Sequence, residues 1–258
     1  MIRAIDRKLF RDLWRMKGQA LAIAMVIASG VATYIMSVST HHSLRLTQEV
    51  FYRDYRFAGV FCSLKRAPES LAARIRDIPG VVQAETRVSA AARLEVETYP
   101  DPVTARIVSI PDTGEPLLNL PYLRAGRMPD PLRENETLVS ETFATAHSLQ
   151  PGDQIAAVIN GRRRRLVISG IALSPEFIYP LAPGALVPDF KGYAILWMTR
   201  KPLAAAYGMD GAFNDAALTI LPGANPQDVV NRLDNLLRRY GGLGDRKSTR
   251  LNSSHVSQ

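Results

Sequence analysis

The stretch QALAIAMVIASGVATYIMSVS, which runs from Gln19 to Ser39, decides what kind of protein this sequence encodes. It lies inside a window, Gly18 to Leu44, that contains no Asp, Glu, Lys or Arg. At about 1.5 Å per residue, roughly 20 helical residues span the hydrocarbon core of a bilayer. Residues 18–40 are therefore predicted to form one transmembrane helix.

The segment in front of this helix predicts its orientation. Residues 1–17 carry six basic and two acidic side chains, and their apolar residues recur at helical spacing. This pattern is typical of an amphipathic helix on the cytosolic membrane surface. By the positive-inside rule residues 1–17 stay in the cytosol and residue 41 onward lies across the membrane. A cleaved signal peptide is the alternative, but its apolar core is usually only about 7–15 residues long.

Alanine recurs every fourth residue along the predicted helix, at Ala20, Ala24, Ala28 and Ala32. Small residues at this spacing let a second helix approach closely within a membrane. Alanine is also common in membrane helices generally, so the pattern leaves two readings open. One is a helix with helical partners, and the other is a simple tether.

Charge and cysteine content exclude several classes of protein. The net charge of +8 over 258 residues comes largely from the N-terminus, from Arg162–Arg165 and from the last residues. Because no continuous basic face with interleaved aromatic residues results, we expect no nucleic-acid partner. Cys62 is the single cysteine, which excludes an internal disulfide and a cysteine-based zinc site.

Beyond the membrane, two strand–helix units frame the chain. Residues 41–56 are predicted to continue the helix, 57–65 to form a strand, and 68–78 a short helix starting at Pro68. Residues 81–97 return as one long strand or two. Near the other end, 214–223 is a predicted strand and 225–242 contains a helix with Gly241 as its C-cap. We expect 57–99 and 212–243 to form one β-α-β layer.

The part between these units, residues 100–211, is predicted to be an inserted β-rich subdomain. Its predicted strands are 103–111, 137–147 (passing into a short helix) and 191–199, with Trp197 and Met198 in the core. Asn160-Gly161 between apolar stretches is the strongest hairpin signal in the chain. The fold class is therefore α+β: one N-terminal transmembrane helix followed by a bipartite extracytoplasmic domain.

Four consecutive arginines, Arg162–Arg165, follow that hairpin turn on the outgoing strand. We interpret them as a solvated sheet edge on which charge opposes aggregation. A patch that binds anionic lipid or nucleic acid is the alternative.

No catalytic constellation is present in the sequence. It contains no G-x-S-x-G, H-E-x-x-H, P-loop or G-x-G-x-x-G motif, and Glu134, Glu136 and Glu141 show no paired-carboxylate spacing. His41 and His42 are adjacent, so on a helix they point about 100° apart and are read as a solvated surface pair. We predict no catalytic, cofactor-binding or metal-binding residues and no cofactor.

The segment 117–179 shows an ordered series of turns and strands. It has a Gly-Arg-x-Pro turn (Gly126, Arg127, Pro129), an acidic residue leading a strand (Glu136 to Ser140), a helix, a Gly-Asp turn (Gly152, Asp153), a hairpin, and a strand ending near Gly170. Together with the N-terminal helix, this order resembles the MacB/FtsX-type ABC transporter permeases over roughly residues 1–243.

The resemblance implies a bacterial inner-membrane protein with a cytosolic N-terminus and a periplasmic MacB-like domain over residues 41–243. It implies a fragment of a permease subunit that relays ATP-driven movement to the periplasmic domain, for export or extraction of a substrate. ATP hydrolysis would occur in a separate cytosolic ABC ATPase, so the chain itself is not expected to be an enzyme. The other implied partners are a second permease copy or module, a periplasmic adaptor and membrane lipid.

Residues 244–258 (GDRKSTRLNSSHVSQ) are polar and lack apolar periodicity. We interpret them as a non-native or disordered tail. The alternative to the permease fragment is a complete single-pass membrane-anchored extracytoplasmic binding or scaffold protein.

Overall fold

The computed structural model describes residues 11, 14, 16–96, 99–178, 180–182 and 185–241. Two compact units make up the chain, residues 1–51 and residues 52–258. Most of the predicted interfacial helix (1–17) and all of the predicted tail (244–258) lie outside the described residues. The helices are α1 Lys17–Asp54, α2 Leu71–Arg76, α3 Glu141–His147, α4 Arg200–Tyr207 and α5 Pro226–Leu237, with 3-10 turns at Pro175–Phe177 and Arg238–Tyr240.

The strands are β1 Val60–Pro68, β2 Val81–Arg87, β3 Ser89–Val96, β4 Tyr99–Ile110, β5 Tyr122–Gly126, β6 Glu136–Ser140, β7 Gln154–Ile159, β8 Arg162–Leu173, β9 Tyr193–Thr199 and β10 Ala212–Ile220. They form a three-stranded sheet and a seven-stranded sheet. An apolar helix followed by a domain of both helices and strands confirms the predicted α+β class.

The helix α1 is one uninterrupted element of 38 residues. It contains an 18-residue window of mean hydropathy 2.0, none of which is buried within the protein. Its length and composition therefore suit a membrane span. The predicted continuation of the helix beyond residue 40 is confirmed as far as Asp54.

The smaller sheet has the strand order β1-β10-β2, and both pairings are antiparallel. Strands β1 and β2 thus run parallel, joined through α2, with β10 between them: a split β-α-β arrangement. Both α2 and α5 pack on one face of this sheet through Ile75, Val229 and Leu233. The prediction that the two distant strand–helix units share one layer is confirmed.

Two predicted boundaries near this sheet are wrong. Pro68 does not start α2; it ends β1, paired with Ala212, and the helix begins three residues later at Leu71. Residues 81–97 contain two strands, and the second, β3, pairs with β4 and β7 in the larger sheet. The change of sheet therefore falls at Val88, not near residue 100, because the same apolar alternation suits either sheet.

The larger sheet closes on itself. Its order is β5-β8-β6-β9-β4-β3-β7, and β7 also pairs with β8, so six strands form a ring to which β5 is added. The pairs β4–β9 and β6–β8 are parallel, and the rest are antiparallel. The ring has one apolar core that includes Phe143 of α3 and Leu203 of α4, and a second around Trp197 and Phe177.

The hairpin predicted at Asn160-Gly161 is confirmed. Strands β7 and β8 pair from Ile159 opposite Arg162 onward, and both turn residues have positive φ, 47° and 75°. Such angles are those of the type I′ turn that Asn-Gly favours. Strand β8 extends beyond the predicted end near Gly170, to Leu173, because β5 and β6 continue to pair with it there.

Candidate functional site at the junction of the two sheets

The chain passes from the smaller sheet to the larger one through a single residue, Val88, between β2 and β3. Val88 is fully buried and exchanges hydrogen bonds with Ser109 of β4: its N–H donates to Oγ at 2.8 Å, and its carbonyl accepts from the Ser109 N–H at 2.8 Å. Beside it, the Asn214 side chain of β10 bonds to both backbone groups of Ser89, each at 2.7 Å. This crossing is therefore held by polar contacts from both sheets.

A buried cluster of four charged residues lies at this crossing; we call it the junction cluster (Arg87, Arg106, Glu176 and Asp215). The Arg87 guanidinium donates to Asp215 Oδ1 from Nε at 2.8 Å and from Nη2 at 2.5 Å. It also donates to Glu176 from Nη1 at 2.5 Å and from Nη2 at 3.1 Å. Arg106 donates to the second Asp215 oxygen at 3.0 Å. Two positive and two negative charges thus balance.

Each member of the junction cluster comes from a different element. Arg87 ends β2 and Asp215 lies in β10, both in the smaller sheet; Arg106 lies in β4 of the larger sheet, and Glu176 lies in the 3-10 turn after β8. The cluster therefore joins the two sheets by charge-assisted hydrogen bonds, which are the stronger class of protein hydrogen bonds.

The junction cluster is largely withdrawn from water. The side chains of Arg87, Asp215 and Glu176 are 6%, 3% and 11% exposed. Burial acts to lower the pKa of Arg87, but the Asp215 and Glu176 carboxylates outweigh it and raise that pKa, so the guanidinium stays charged. Aromatic faces cover the cluster, with Arg87 6.0 Å from the Phe61 ring centre and Arg106 5.6 Å from that of Phe177.

The segment that follows α1 is connected to the junction cluster through Asn119. The Asn119 side chain accepts from the Ala58 N–H at 2.9 Å and donates to Glu176 at 3.1 Å. Its own N–H donates to the Arg56 carbonyl at 3.0 Å. Asn119 has φ of 51°, a left-handed conformation that asparagine tolerates better than most residues. One buried side chain thus links the segment that follows α1 to the junction cluster.

A second charged contact joins the sheets nearby. Arg200, at the start of α4, forms an ion pair with Glu69, just before α2. It also donates to the carbonyls of Thr86 at 2.9 Å and Ala212 at 3.2 Å. Arg200 therefore attaches the larger subdomain to the smaller sheet at a position separate from the junction cluster.

Glu85 is a further buried carboxyl at the junction. It is 8% exposed and accepts a hydrogen bond from the Leu118 N–H at 2.8 Å. Burial raises its pKa, although the Leu118 N–H and Arg87 act in the opposite direction.

The polar side chains at this junction bond to one another or to backbone groups. Its carboxylates are bonded to arginines or backbone N–H groups, and the described residues contain no cluster of three His, Cys, Asp or Glu side chains able to hold a metal. Burial raises the pKa of the Cys62 thiol to about 12, so this thiol is protonated at neutral pH. His41 and His42 are both exposed, as predicted.

The residues that carry the permease resemblance lie in the larger subdomain. Arg127 pairs with the buried carboxylate of Glu136 at 2.5 Å, and Glu136 also accepts from the Asp130 N–H at 2.9 Å. The Arg127 hydrogen bond, with smaller help from that N–H and from Arg133, lowers the pKa of Glu136. Glu141 pairs separately with Arg124 at 2.8 Å.

Gly126 and Gly170 lie opposite each other where β5 meets β8. A Cβ atom on Gly126 would lie 2.3 Å from the Ser169 carbonyl oxygen, and Gly126 has φ of +78°. The tight turn predicted at Gly152 is confirmed, since this residue lies in a turn and has positive φ. The prediction for Gly126 is wrong: this residue also has positive φ, but it ends strand β5 and pairs with Gly170. The two strands approach as closely as they do only because these positions lack side chains.

Sequence reasoning missed the junction cluster. A signal was present: Arg87 and Asp215 are charged residues inside otherwise apolar strand patterns, AETRVS and NDAALTI. Charged residues are almost never fully buried unless paired, so a charged residue at a buried strand position predicts an ion-pair partner elsewhere in the fold. The partners lie far apart in sequence, with 128 residues separating Arg87 from Asp215.

No family model matches this chain, and no curated protein matches it. Several solved structures are similar to it. The extracellular domain of the noncanonical ABC-type transporter YknZ from Gram-positive bacteria is 10% identical with a TM-score of 0.45, over 71% of this chain and 95% of that one. The periplasmic region of MacB from Actinobacillus actinomycetemcomitans is 12% identical with a TM-score of 0.43, over 70% and 85%. A domain of a permease-like protein from Porphyromonas gingivalis is 18% identical with a TM-score of 0.37, over 70% and 83%.

Proposed function

We propose that this chain is the anchored, extracytoplasmic part of an ABC transporter permease, and that its domain passes on mechanical movement. The observation that carries the proposal is the continuity of α1: one helix includes the apolar window and runs on to Asp54 without a break. A helix transmits displacement along its axis better than a flexible linker does. The resemblance over residues 1–243 supplies the class of machine in which such movement would arise.

The polar contacts at the junction support the same proposal. Movement reaching residues 56–58 passes to Asn119 and from there to Glu176 of the junction cluster. Because the junction cluster is buried and satisfied, it resists separation of the two sheets. The smaller sheet and the larger subdomain would then move together as one body, so displacement that reaches residues 56–58 is not lost by the two parts moving relative to each other.

In this proposal the membrane is the bacterial inner membrane, the N-terminus is cytosolic and the folded domain is periplasmic. A separate cytosolic ABC ATPase hydrolyses ATP, and a second permease copy or module supplies membrane helices that pack on α1. The domain itself performs no chemistry, and a substrate or adaptor meets it on the periplasmic side.

Sequencing of the source gene past the codon for Gly244 tests this proposal. We expect the frame to continue into further apolar segments of about 20 residues, with a P-loop ATPase gene beside it. A frame that stops after Gln258, with no such neighbour, would favour the single-pass binding or scaffold protein and contradict the transport role.

A further inference from the structure

The first half of β8 has one unpaired edge. Arg162–Leu166 pair with β7 on one side, whereas β6 begins to pair with β8 only at Val167. Among the described strands, none lies beside Arg162–Leu166 on the β6 side. A strand edge of five residues, about 17 Å long, is therefore available there.

The hydrogen-bonding groups on this edge can be assigned from the neighbouring residues. On the β7 side, the Ile168 N–H donates to the Asp153 carbonyl, and the Ile168 carbonyl accepts from the Gly152 N–H. On the β6 side, the Val167 N–H donates to the Asn135 carbonyl. Backbone groups alternate in direction along a strand. Arg163 and Arg165, two and four residues before Val167, therefore direct their N–H and carbonyl groups to the open edge.

The same two arginines present their side chains to solvent. Arg163 lies opposite Val158 and Arg165 opposite Ala156, on the face away from the buried Ala157 and Ile159. Both arginines are exposed. Two residues along a strand span about 6.7 Å, so two arginines follow each other at that spacing along this edge.

One carboxylate already binds on this face. Glu95 of β3 pairs with Arg163 at 2.5 Å, with the two side chains 47% and 69% exposed. Because β3 lies beyond β7, this pair turns the Arg163 guanidinium away from the open edge. Within the described part of the chain, Arg162, Arg164 and Arg165 take part in none of the ion pairs. Positive charge therefore remains in excess along this edge.

We propose that the open edge of β8 is a docking site for an extended acidic segment of a partner protein, which adds to the sheet as a further strand. The backbone groups of Arg163 and Arg165 bind its main chain. The guanidinium of Arg165 binds one of its carboxylates, and that of Arg163 leaves Glu95 to bind a second carboxylate two residues along. A second copy of this chain does not fit, because pairing two such edges would bring arginines close to arginines. This inference stands apart from the proposed transport role, since it concerns only the folded domain's surface.

The test uses the full chain in uncharged detergent micelles and short, capped, fluorescent peptides. Acetyl-Glu-Thr-Glu-Thr-Glu-amide has carboxylates on one face of a strand, and Glu-Glu-Glu-Thr-Thr is the control with the same composition. Two further peptides carry N-methyl groups on the odd or on the even residues. We expect the alternating peptide to bind more tightly than its control, and only one of the two methylation patterns to abolish binding, because alternate N–H groups face β8.

Variants identify the edge. Arg163→Thr/Arg165→Thr should weaken binding of the alternating peptide by about tenfold, the effect of losing two exposed ion pairs. Arg232→Gln/Arg239→Gln removes two exposed charges elsewhere and should leave binding unchanged. Each variant also carries Trp14→Phe, so that emission from the buried Trp197 alone verifies that it folds. Equal binding of all four peptides, or equal loss in both double variants, overturns the proposal. So does arginine-dependent binding of anionic phospholipid vesicles with no binding of the peptides.

Discussion

Replacement of Arg87 by Met is the most direct test of the junction cluster. The change leaves Asp215, 3% exposed, with Arg106 alone, and leaves Glu176, 11% exposed, with the amide of Asn119. Removing one partner of a buried ion pair typically costs about 3–5 kcal/mol, because the remaining charge is buried without compensation. We expect Arg87→Met to destabilise the domain by about this amount.

The assay is thermal unfolding of the full chain in detergent micelles, with Trp14 replaced by Phe so that Trp197 is the single tryptophan whose emission is followed. Trp197 packs 6.1 Å from the ring of Phe177, which belongs to the same 3-10 turn as Glu176, so its emission reports on this region. For a domain of this size each kcal/mol shifts the melting temperature by roughly 2–4 °C, so a decrease of roughly 6–20 °C is expected.

Matched variants make the result specific to the junction cluster. Arg232→Met removes an exposed arginine from α5 and should change stability by less than about 0.5 kcal/mol. Asp215→Asn should cost less in the Arg87→Met background than alone, since the charge it removes is then poorly paired. If Arg87→Met were no more harmful than Arg232→Met, the junction cluster would not hold the sheets together.

Three further predictions concern single positions. Gly126→Ala should destabilise the domain more than Gly114→Ala, because both have φ of +78° but only Gly126 has backbone atoms where its Cβ would lie; denaturant unfolding compares the two. The pKa of Glu136 is lowered in the folded protein, so its ionised carboxylate stabilises the fold above the unfolded pKa of about 4.3. This stabilisation is lost as pH falls through the folded pKa. Glu136→Gln should therefore show a weaker loss of stability in acid than the unchanged protein. Glu85 has the opposite effect on the pH dependence of stability, because its pKa is raised in the folded protein. Its protonated form stabilises the fold below the unfolded pKa, and this stabilisation is lost as pH rises through the folded pKa. Glu85→Gln should accordingly gain stability relative to the unchanged protein from acid to neutral pH; the same gain at every pH would contradict this reasoning.

Local features of the fold could be predicted from sequence. The apolar run of α1, the Asn-Gly hairpin and the buried strand around Trp197 each depend on neighbouring residues, and the structure has all three. The pairing of strands from both ends of the chain was also predicted, because two strand–helix units with apolar faces need a common layer.

Long-range features could not be predicted in the same way. Strand β3 has an alternating pattern that fits either sheet, and only its pairing with β4 and β7 assigns it to the larger one. Closure of the ring depends on β7 having two partners, which local periodicity does not encode. The contact between Arg87 and Glu176 likewise arises only when separate elements meet.

The membrane topology of the chain decides whether α1 anchors the folded domain on the far side of a membrane. Cys62 is replaced by Ser, and a single cysteine is then introduced at position 8 or at position 132, where Leu132 is 91% exposed. Spheroplasts of expressing bacteria are treated with a membrane-impermeant maleimide. Our account predicts that Leu132→Cys is labelled in intact spheroplasts and that Lys8→Cys is labelled only after the membrane is permeabilised. Labelling of both positions in intact spheroplasts, or of position 8 alone, would contradict an anchored domain on the far side of the membrane.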